Sequence, residues 1–346
     1  MEKLRVNNTP VRTSRNFLIN NLEVELEIPQ KDEFTNLKII NEKSNIDNNV
    51  SNKPLTYGMG KILEELNYET ANSKIRIQTS NKKENIQIIY EFDDNNINLI
   101  NQIEIIANGN TNVTIVYKSK TSKKCFHNGI IRTTVKENAQ LNVTIINLLN
   151  EESDNLEAIE NQLEKNSTTN YTIIDIGAKT SVSNYYSNII GENAKNDLKS
   201  IYLGINNQKK DLNYIAELKG ERTNIEIDVQ GALKDSAKKN FKGTIDFKKG
   251  CKKAKGNENE YCMLLSNKAK SIALPMLCTE EDVEGNHSTA SGKVDEKQLF
   301  YIMTRGFSYK EAVKLIVKSK FNKIIDRIPD KNLKDEIINE IDKRLD

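Results

Sequence analysis

Gly220-Glu221-Arg222-Thr223-Asn224-Ile225-Glu226-Ile227-Asp228-Val229 is the stretch that decides the architecture. A polar turn ending in a small side chain leads straight into a run that alternates Ile, Glu, Ile, Asp and Val. Apolar residues at a spacing of two line one face of a strand and leave the charges on the other. The unit recurs: Gly191-Glu192-Asn193-Ala194 and Lys136-Glu137-Asn138-Ala139 are turns of the same make, with Lys249-Gly250-Cys251 and Asn267-Lys268-Ala269 as weaker copies. Further alternating runs are Ile75-Arg76-Ile77, Ile86 to Phe92, Ile103 to Ile106, Val113 to Tyr117, Leu141 to Ile145, Tyr171 to Ile176 and Thr244 to Phe247. Many short strands with recurring turns and no long helices between them predict a mainly β chain, either a β-solenoid or a β-sandwich. Periodicity alone leaves that choice open. Glu151 to Leu163 interrupts the pattern; Leu156, Ile159 and Leu163 stand at helical spacing and read as a helical insert.

Outward from this region the pattern changes at both ends. Before it, Leu22, Val24, Leu26 and Ile28 alternate into a strand stopped by Pro29. Residues 31–53 are polar and read as a loop, and Ile62, Leu63 and Leu66 predict a short helix. After Gly292 the spacing turns helical. Asp295 with Gln298 is an N-terminal cap, and Gly306 is a stop. Ser308 with Glu311 is a capping box opening a second helix through Ala312, Leu315, Ile316, Phe321, Ile324 and Ile325. Pro329 ends it, and a third helix runs from Asp330 through Leu333, Ile337, Ile341 and Leu345. The expected division is a mixed N-terminal segment (1–73), a β core (74–292) and a C-terminal helical domain (293–346).

Composition narrows the function. The 346 residues include 51 Lys and Arg against 49 Asp and Glu, a net charge of +2. That balance argues against a chain built to hold nucleic acid, and the lysine run from Lys234 to Lys255 reads as a solvated face. Four cysteines, none in a close pair, give no zinc ribbon and no dithiol motif. No apolar run reaches membrane-spanning length, and no secretory leader is seen. The expectation is a soluble, cytoplasmic protein without a membrane partner. There is no phosphate-binding loop of the G-x-x-x-x-G-K-[ST] kind, so no direct ATP binding of that type is expected. The abundance of Asn reads as genome composition and receives little functional weight.

Glu280-Glu281-Asp282-Val283-Glu284-Gly285-Asn286-His287-Ser288-Thr289-Ala290-Ser291-Gly292 precedes Asp295-Glu296-Lys297-Gln298-Leu299-Phe300-Tyr301-Ile302-Met303-Thr304-Arg305-Gly306. Together they resemble the C-terminal signature of the SufB/SufD family of iron–sulfur cluster assembly scaffolds. That signature has an acidic pair and Val, a His, small residues, D-E-x-x-L-F-Y-x-x-x-R-G, and a helix with E-A, here Glu311-Ala312. Phe241-Lys242-Gly243-Thr244-Ile245-Asp246-Phe247, Phe126-His127-Asn128-Gly129 and Pro10-Val11-Arg12-Thr13-Ser14 match other family segments. The resemblance implies a right-handed parallel β-helix with a small N-terminal segment and a C-terminal helical domain. It implies a non-catalytic scaffold that pairs with a SufB-like subunit and docks on SufC, an ABC-type ATPase that performs the ATP hydrolysis. A transient iron–sulfur cluster would form at a subunit interface, and a reduced flavin could associate with the complex. Ser288 follows His287 where SufB-like members carry Glu, and Glu260 stands where they carry a cysteine. The chain is therefore similar to SufD. Two rivals are a homodimeric scaffold without a distinct SufB partner and a β-helix carbohydrate-active enzyme. The latter needs paired catalytic carboxylates along a groove, which the sequence does not display.

The resemblance makes His287 the leading cluster or transient iron ligand, since imidazole suits iron; the plain alternative is a structural histidine at the end of the β core. Cys278, inside the apolar Leu274-Pro275-Met276-Leu277 run, and Cys262, on the same strand face as Glu260, are further ligand candidates; packing is the alternative for each. Cys251 lies between lysines that could lower its thiol pKa, or is an inert turn residue. Cys125 and His127 read as packed and structural. Arg305, Phe307 and Tyr309, around the Gly306 break, are the candidate SufC contacts, because aromatic and Arg residues anchor interfaces.

Overall fold

A computed structural model describes residues 2–11, 19–30, 32–41 and 44–346. The Arg12-Thr13-Ser14 part of the N-terminal match lies outside the described residues. Strands β1 (Glu2–Val6) and β2 (Leu22–Leu26) form an antiparallel hairpin. β3 (Leu37–Asn41), β4 (Asn45–Asp47) and helix α1 (Lys61–Thr70) follow. The solenoid then begins with β5 (Ser73–Gln78), β6 (Glu84–Phe92), β7 (Asn98–Ala107) and β8 (Asn110–Ser119). It continues through β9 (Phe126–Val135), β10 (Gln140–Leu148), β11 (Asp154–Leu163) and β12 (Thr168–Asp175). Next come β13 (Thr180–Ile189), β14 (Lys195–Gly204), β15 (Lys209–Leu218) and β16 (Asn224–Leu233). It closes with β17 (Lys238–Phe247), β18 (Lys255–Leu264), β19 (Lys270–Thr279) and β20 (Glu284–Lys293). Helices α2 (Glu296–Met303), α3 (Tyr309–Ile325) and α4 (Lys331–Leu345) end the chain.

Among β5 to β20, odd strands pair with odd strands and even with even, all in parallel. This pattern excludes a sandwich of hairpins and makes the chain a two-sheet β-helix. Thr180 pairs with Lys209 and Lys209 with Lys238, a step of 29 residues per turn. Inward side chains from both sheets form one continuous core, including Tyr171, Tyr185, Tyr214 and Phe241 in successive edge-to-face contacts.

The corners explain the asparagines. Asn138, Asn166, Asn193, Arg222 and Lys253 occupy the left-handed region at one corner, with φ between 55° and 63°. Asn tolerates that conformation better than most residues. The Asn166 carboxamide donates to Asn138 at 3.1 Å, Asn193 donates to Asn166 at 3.1 Å, and Arg222 Nε donates to Asn193 at 3.0 Å. A second ladder, Asn112–Asn142–Asn170, runs up the outer face of the even sheet at 2.8 and 2.7 Å. Identical amides stack because the rungs stack, which gives these asparagines a structural role. Of the weaker turn copies, the stacked position is Lys253-Ala254 rather than Lys249-Gly250-Cys251. Asn267-Lys268-Ala269 belongs to the opposite corner, where Asp235 N donates to Ser266 Oγ at 2.8 Å.

Three other expectations change. Glu151 to Leu163 is not helical, because β11 occupies it. Ile159 and Leu163 face the solenoid interior, while Leu156 and Ala158 face outward under the N-terminal elements. A strand buried on both faces loses its period of two and can imitate helical spacing. The supposed loop 31–53 contains β3 and β4, which pair antiparallel with β6 and β5 and cover the first rung's edges. The lysine run is not simply solvated, since Lys239 and Lys242 are fully buried. Lys242 lies under the N-terminal hairpin, where Asp211 accepts from Lys242 at 2.5 Å, Asn7 at 2.6 Å and Asn240 at 3.0 Å.

Both outer faces are jacketed. The hairpin and α1 cover the odd sheet through Val6, Leu26, Leu63 and Val182. Helices α3 and α4 cover the even sheet through Ile316, Phe321, Ile337 and Ile341 against Ile146, Ile174 and Ile201. The caps match the reading: Asp295 accepts from Lys297 N and Gln298 N, Ser308 and Glu311 form the capping box, and Asp330 accepts from Leu333 N. Leu315, expected in the internal stripe, is exposed.

Candidate functional site

The solenoid ends at β19 and β20, the last strands of their sheets. Among the described residues nothing pairs with their outer edges, in contrast to the first rung, which β3 and β4 cover. Ile272 and Leu277 are exposed on β19, and His287, Ser288 and Ala290 on β20.

His287 sits in register with Glu258. Adjacent residues on in-register parallel strands share a face, and Glu258 is an interior residue, 1% exposed. The imidazole therefore stands on the interior side of the last rung, open only because no further rung stacks on it. Beneath it lies a buried ionic cluster. Lys239 Nζ lies 2.8 Å from Glu260 Oε1, which also accepts from Tyr202 OH at 2.7 Å. Lys239 donates to the Ile272 carbonyl at 3.1 Å and so ties the cluster to β19. Glu258 takes no part in it: neither carboxylate oxygen has a hydrogen-bond partner among the described residues. Burial, aided by the nearby Glu260 charge, pushes the Glu258 carboxyl up to about 8.

The cysteines separate from the imidazole. Cys262 is on the inner face but fully buried, opposite Ser291 in register while Glu258 is opposite His287. Four residues along a strand put it about 13 Å from the imidazole's position. Burial pushes its thiol up. Cys278 is registered with Asp246 on the outer face of the odd sheet, half-buried. It shares neither sheet nor face with His287, and burial raises its thiol as well. Cys251 is packed in the core; burial first, then the Glu281 charge, raises its thiol, so the flanking lysines do not activate it. Cys125 is likewise a buried core residue. His127 is wholly interior: Nδ1 lies 2.6 Å from Asn155 Oδ1 and Nε2 lies 2.9 Å from Asn101 Oδ1. Burial lowers it to about 4, so it is a neutral structural ring.

A second surface lies at the helical corner. Phe300 is 71% exposed, with Tyr301, Met303, Phe307 and Tyr309 exposed around the Gly306 turn at φ 94°. The Arg305 guanidinium lies 5.2 Å from the Tyr301 ring centroid and donates to its hydroxyl at 3.2 Å. A cleft of about 940 Å³ opens beside it, lined by Leu264, Leu265, Phe300, Met303, Tyr309 and Val313. The structure thus brings Arg305, Phe307 and Tyr309 onto one exposed corner and adds Phe300 and Tyr301. The buried Lys239–Glu260 pair and the unpartnered Glu258 beside it were not legible. In Asn257-Glu258-Asn259-Glu260 every residue is polar, so alternation gives no inner face.

These features define the class: a two-sheet parallel β-helix, jacketed on both outer faces, with one end rung bare and an aromatic helical corner beside it. The family model for the SufBD core domain of SUF system FeS cluster assembly matches residues 90–320. The chain belongs to that family. Similar proteins include the iron–sulfur cluster assembly protein SufD of Bacillus subtilis (strain 168), 25% identical over 268 residues, covering 75% of this chain and 61% of the relative. A SufBD family protein of Pyrococcus horikoshii is 27% identical over 234 residues, 66% of this chain and 51% of the relative. One from Mycobacterium leprae is 23% identical over 215 residues, 62% and 24% of the respective chains. The chain thus spans from about a quarter to three fifths of these relatives' length. Among the described residues no helix is long and apolar enough to cross a membrane.

Proposed function

We propose that the chain is a non-catalytic, SufD-like scaffold subunit in iron–sulfur cluster assembly. In this reading a SufB-like subunit covers the end rung β19–β20, and a SufC-type ABC ATPase docks on the corner formed by Phe300, Arg305, Phe307 and Tyr309. The observation that carries it is the bare end rung of a family β-helix with His287 on its open interior side. Unpaired N–H and C=O groups on two adjacent strand edges favour continuation by another chain. The cluster is cargo. His287 supplies one nitrogen donor to it, and Cys262, buried along the strand, and Cys278, on the other sheet, do not. Among the described residues no three His, Cys, Asp or Glu side chains converge, so this reading assigns the remaining ligands to the covering subunit.

The test is anaerobic reconstitution with a SufB-like subunit and a SufC-type ATPase, following the cluster's visible absorption. His287→Ala should leave the complex intact and stop absorption from building up, whereas Cys278→Ser should not. Undiminished build-up in the His287 variant overturns the ligand role. Arg305→Glu combined with Phe307→Ala should abolish co-purification with the ATPase while the pairing with the SufB-like chain persists. Sizing the chain alone and with that subunit separates this reading from a homodimeric scaffold.

A further inference from the structure

One layer beneath the end rung lies a polar group with no partner among the described residues. Glu258 is buried one layer beneath His287 and in register with it. A buried carboxylate without a partner is costly and is rarely left so. Its neighbours do not satisfy it: Lys239 is already paired with Glu260. The surrounding residues instead make room for it. A Cβ on Gly243, on the opposite sheet, would overlap the Glu258 carboxylate. The carboxylate is therefore housed at the one level of the solenoid where the next layer is an imidazole and then open space.

We propose that Glu258 is a positioning residue for His287: in its ionised form its carboxylate accepts a hydrogen bond from one ring N–H, leaving the lone pair of the other ring nitrogen facing out of the end rung. In-register side chains on neighbouring strands stand about 4.8 Å apart at their Cα atoms. The proposed bond requires the exposed ring to change rotamer, since in the present arrangement neither Glu258 oxygen has a partner among the described residues. Carboxylates behind metal-ligating histidines fix the tautomer in this way. A ligating nitrogen must arrive without its proton, and the hydrogen bond keeps the ring's single proton on the inner side. The proposal rests on the reading of His287 as the ligand, but the hydrogen bond itself does not depend on cluster chemistry.

The test uses the full chain, ¹⁵N-labelled, observed by ring-nitrogen NMR above the titration range of imidazole. The sequence has only two histidines, and buried His127 serves as the internal reference. Wild type should show His287 as one dominant tautomer. Glu258→Leu, an apolar replacement at a buried site, should give a ring averaged between tautomers, and Glu258→Gln should retain part of the bias because its amide oxygen still accepts. Gly243→Ala, which displaces the carboxylate without removing it, should act like Glu258→Leu and guards against a folding artefact. A His287 ring spectrum unchanged in both Glu258→Leu and Gly243→Ala overturns the proposal. In reconstitution, Glu258→Leu should slow cluster build-up roughly 10- to 100-fold, the range found for such supporting groups. An altered ring spectrum with full assembly in His287→Ala would sink the ligand reading and leave the hydrogen bond standing. Loss of assembly in His287→Ala with an unaltered spectrum in Glu258→Leu would do the reverse.

Discussion

Replacing Lys239 with Met tests the energetics of the end of the solenoid. Lys239 and Glu260 are both essentially excluded from water and 2.8 Å apart. Removing the lysine strands a buried carboxylate whose remaining partner is the Tyr202 hydroxyl. Breaking a buried pair from one side typically costs 3–5 kcal/mol, roughly, because the surviving charge is uncompensated. The lost bond to the Ile272 carbonyl adds about 1 kcal/mol. The expected loss is therefore about 4–6 kcal/mol, read from urea unfolding followed by far-UV circular dichroism. Lys239→Met with Glu260→Leu removes both charges and should recover most of it, since apolar replacement of a whole pair is often neutral. Solenoid rungs interact mainly with their neighbours, so hydrogen exchange in the single variant should quicken first in β17 and β19. A loss below about 1 kcal/mol in the single variant, or a double variant as unstable as the two singles summed, would refute the reasoning.

Three more expectations follow from other parts of the molecule. His127 titrates at about 4 in the fold against an ordinary 6.5. The unfolded chain thus binds its proton first, and stability falls as pH drops from about 6.5 to about 4, by up to about 3 kcal/mol. The stability gap between wild type and His127→Gln should narrow over that window in denaturant titrations; a constant gap would contradict a buried neutral ring. Glu157, pushed up to about 8 by burial, works the other way. Its folded form keeps a proton that the unfolded chain releases from about 4.5 upward, so wild type should lose stability relative to Glu157→Gln as pH rises toward about 8. Asn193→Ala loses two ladder bonds and places a β-carbon at φ 58°, and should lower stability by about 1–3 kcal/mol. Asn193→Gly, which relieves only the backbone, should fall between that variant and wild type in the same unfolding assay.

Much of the β core was legible because most of its strands have one polar face somewhere along them. Ile225 to Val229 alternates because its outward positions, Glu226 and Asp228, are only partly covered. The reading failed where a jacket covers the outer face. β11 carries Leu156 and Ala158 under the hairpin and α1, and its two apolar faces merged into a helix-like pattern. The C-terminal helices were readable nearly to the residue because caps are local chemistry: Asp295, Ser308 and Asp330 bond within three residues of themselves. His287 stood out through its motif. Its partner beneath did not, since Glu258 lies a full turn of the solenoid earlier in the chain.

By itself the sequence determined the strands that keep one polar face, where the C-terminal helices begin and end, and which family signature surrounds His287. Those properties depend on side-chain spacing and on bonds between near neighbours in the chain. Only the tertiary structure decided that odd and even strands form separate parallel sheets, that Cys262 is buried four residues along the strand from the imidazole's position while Cys278 lies on the other sheet, and that Glu258 lies under the imidazole. Each of those depends on the register between rungs some thirty residues apart. That register is set by the packing of corners and core across turns of the solenoid, a distance over which local spacing carries no information.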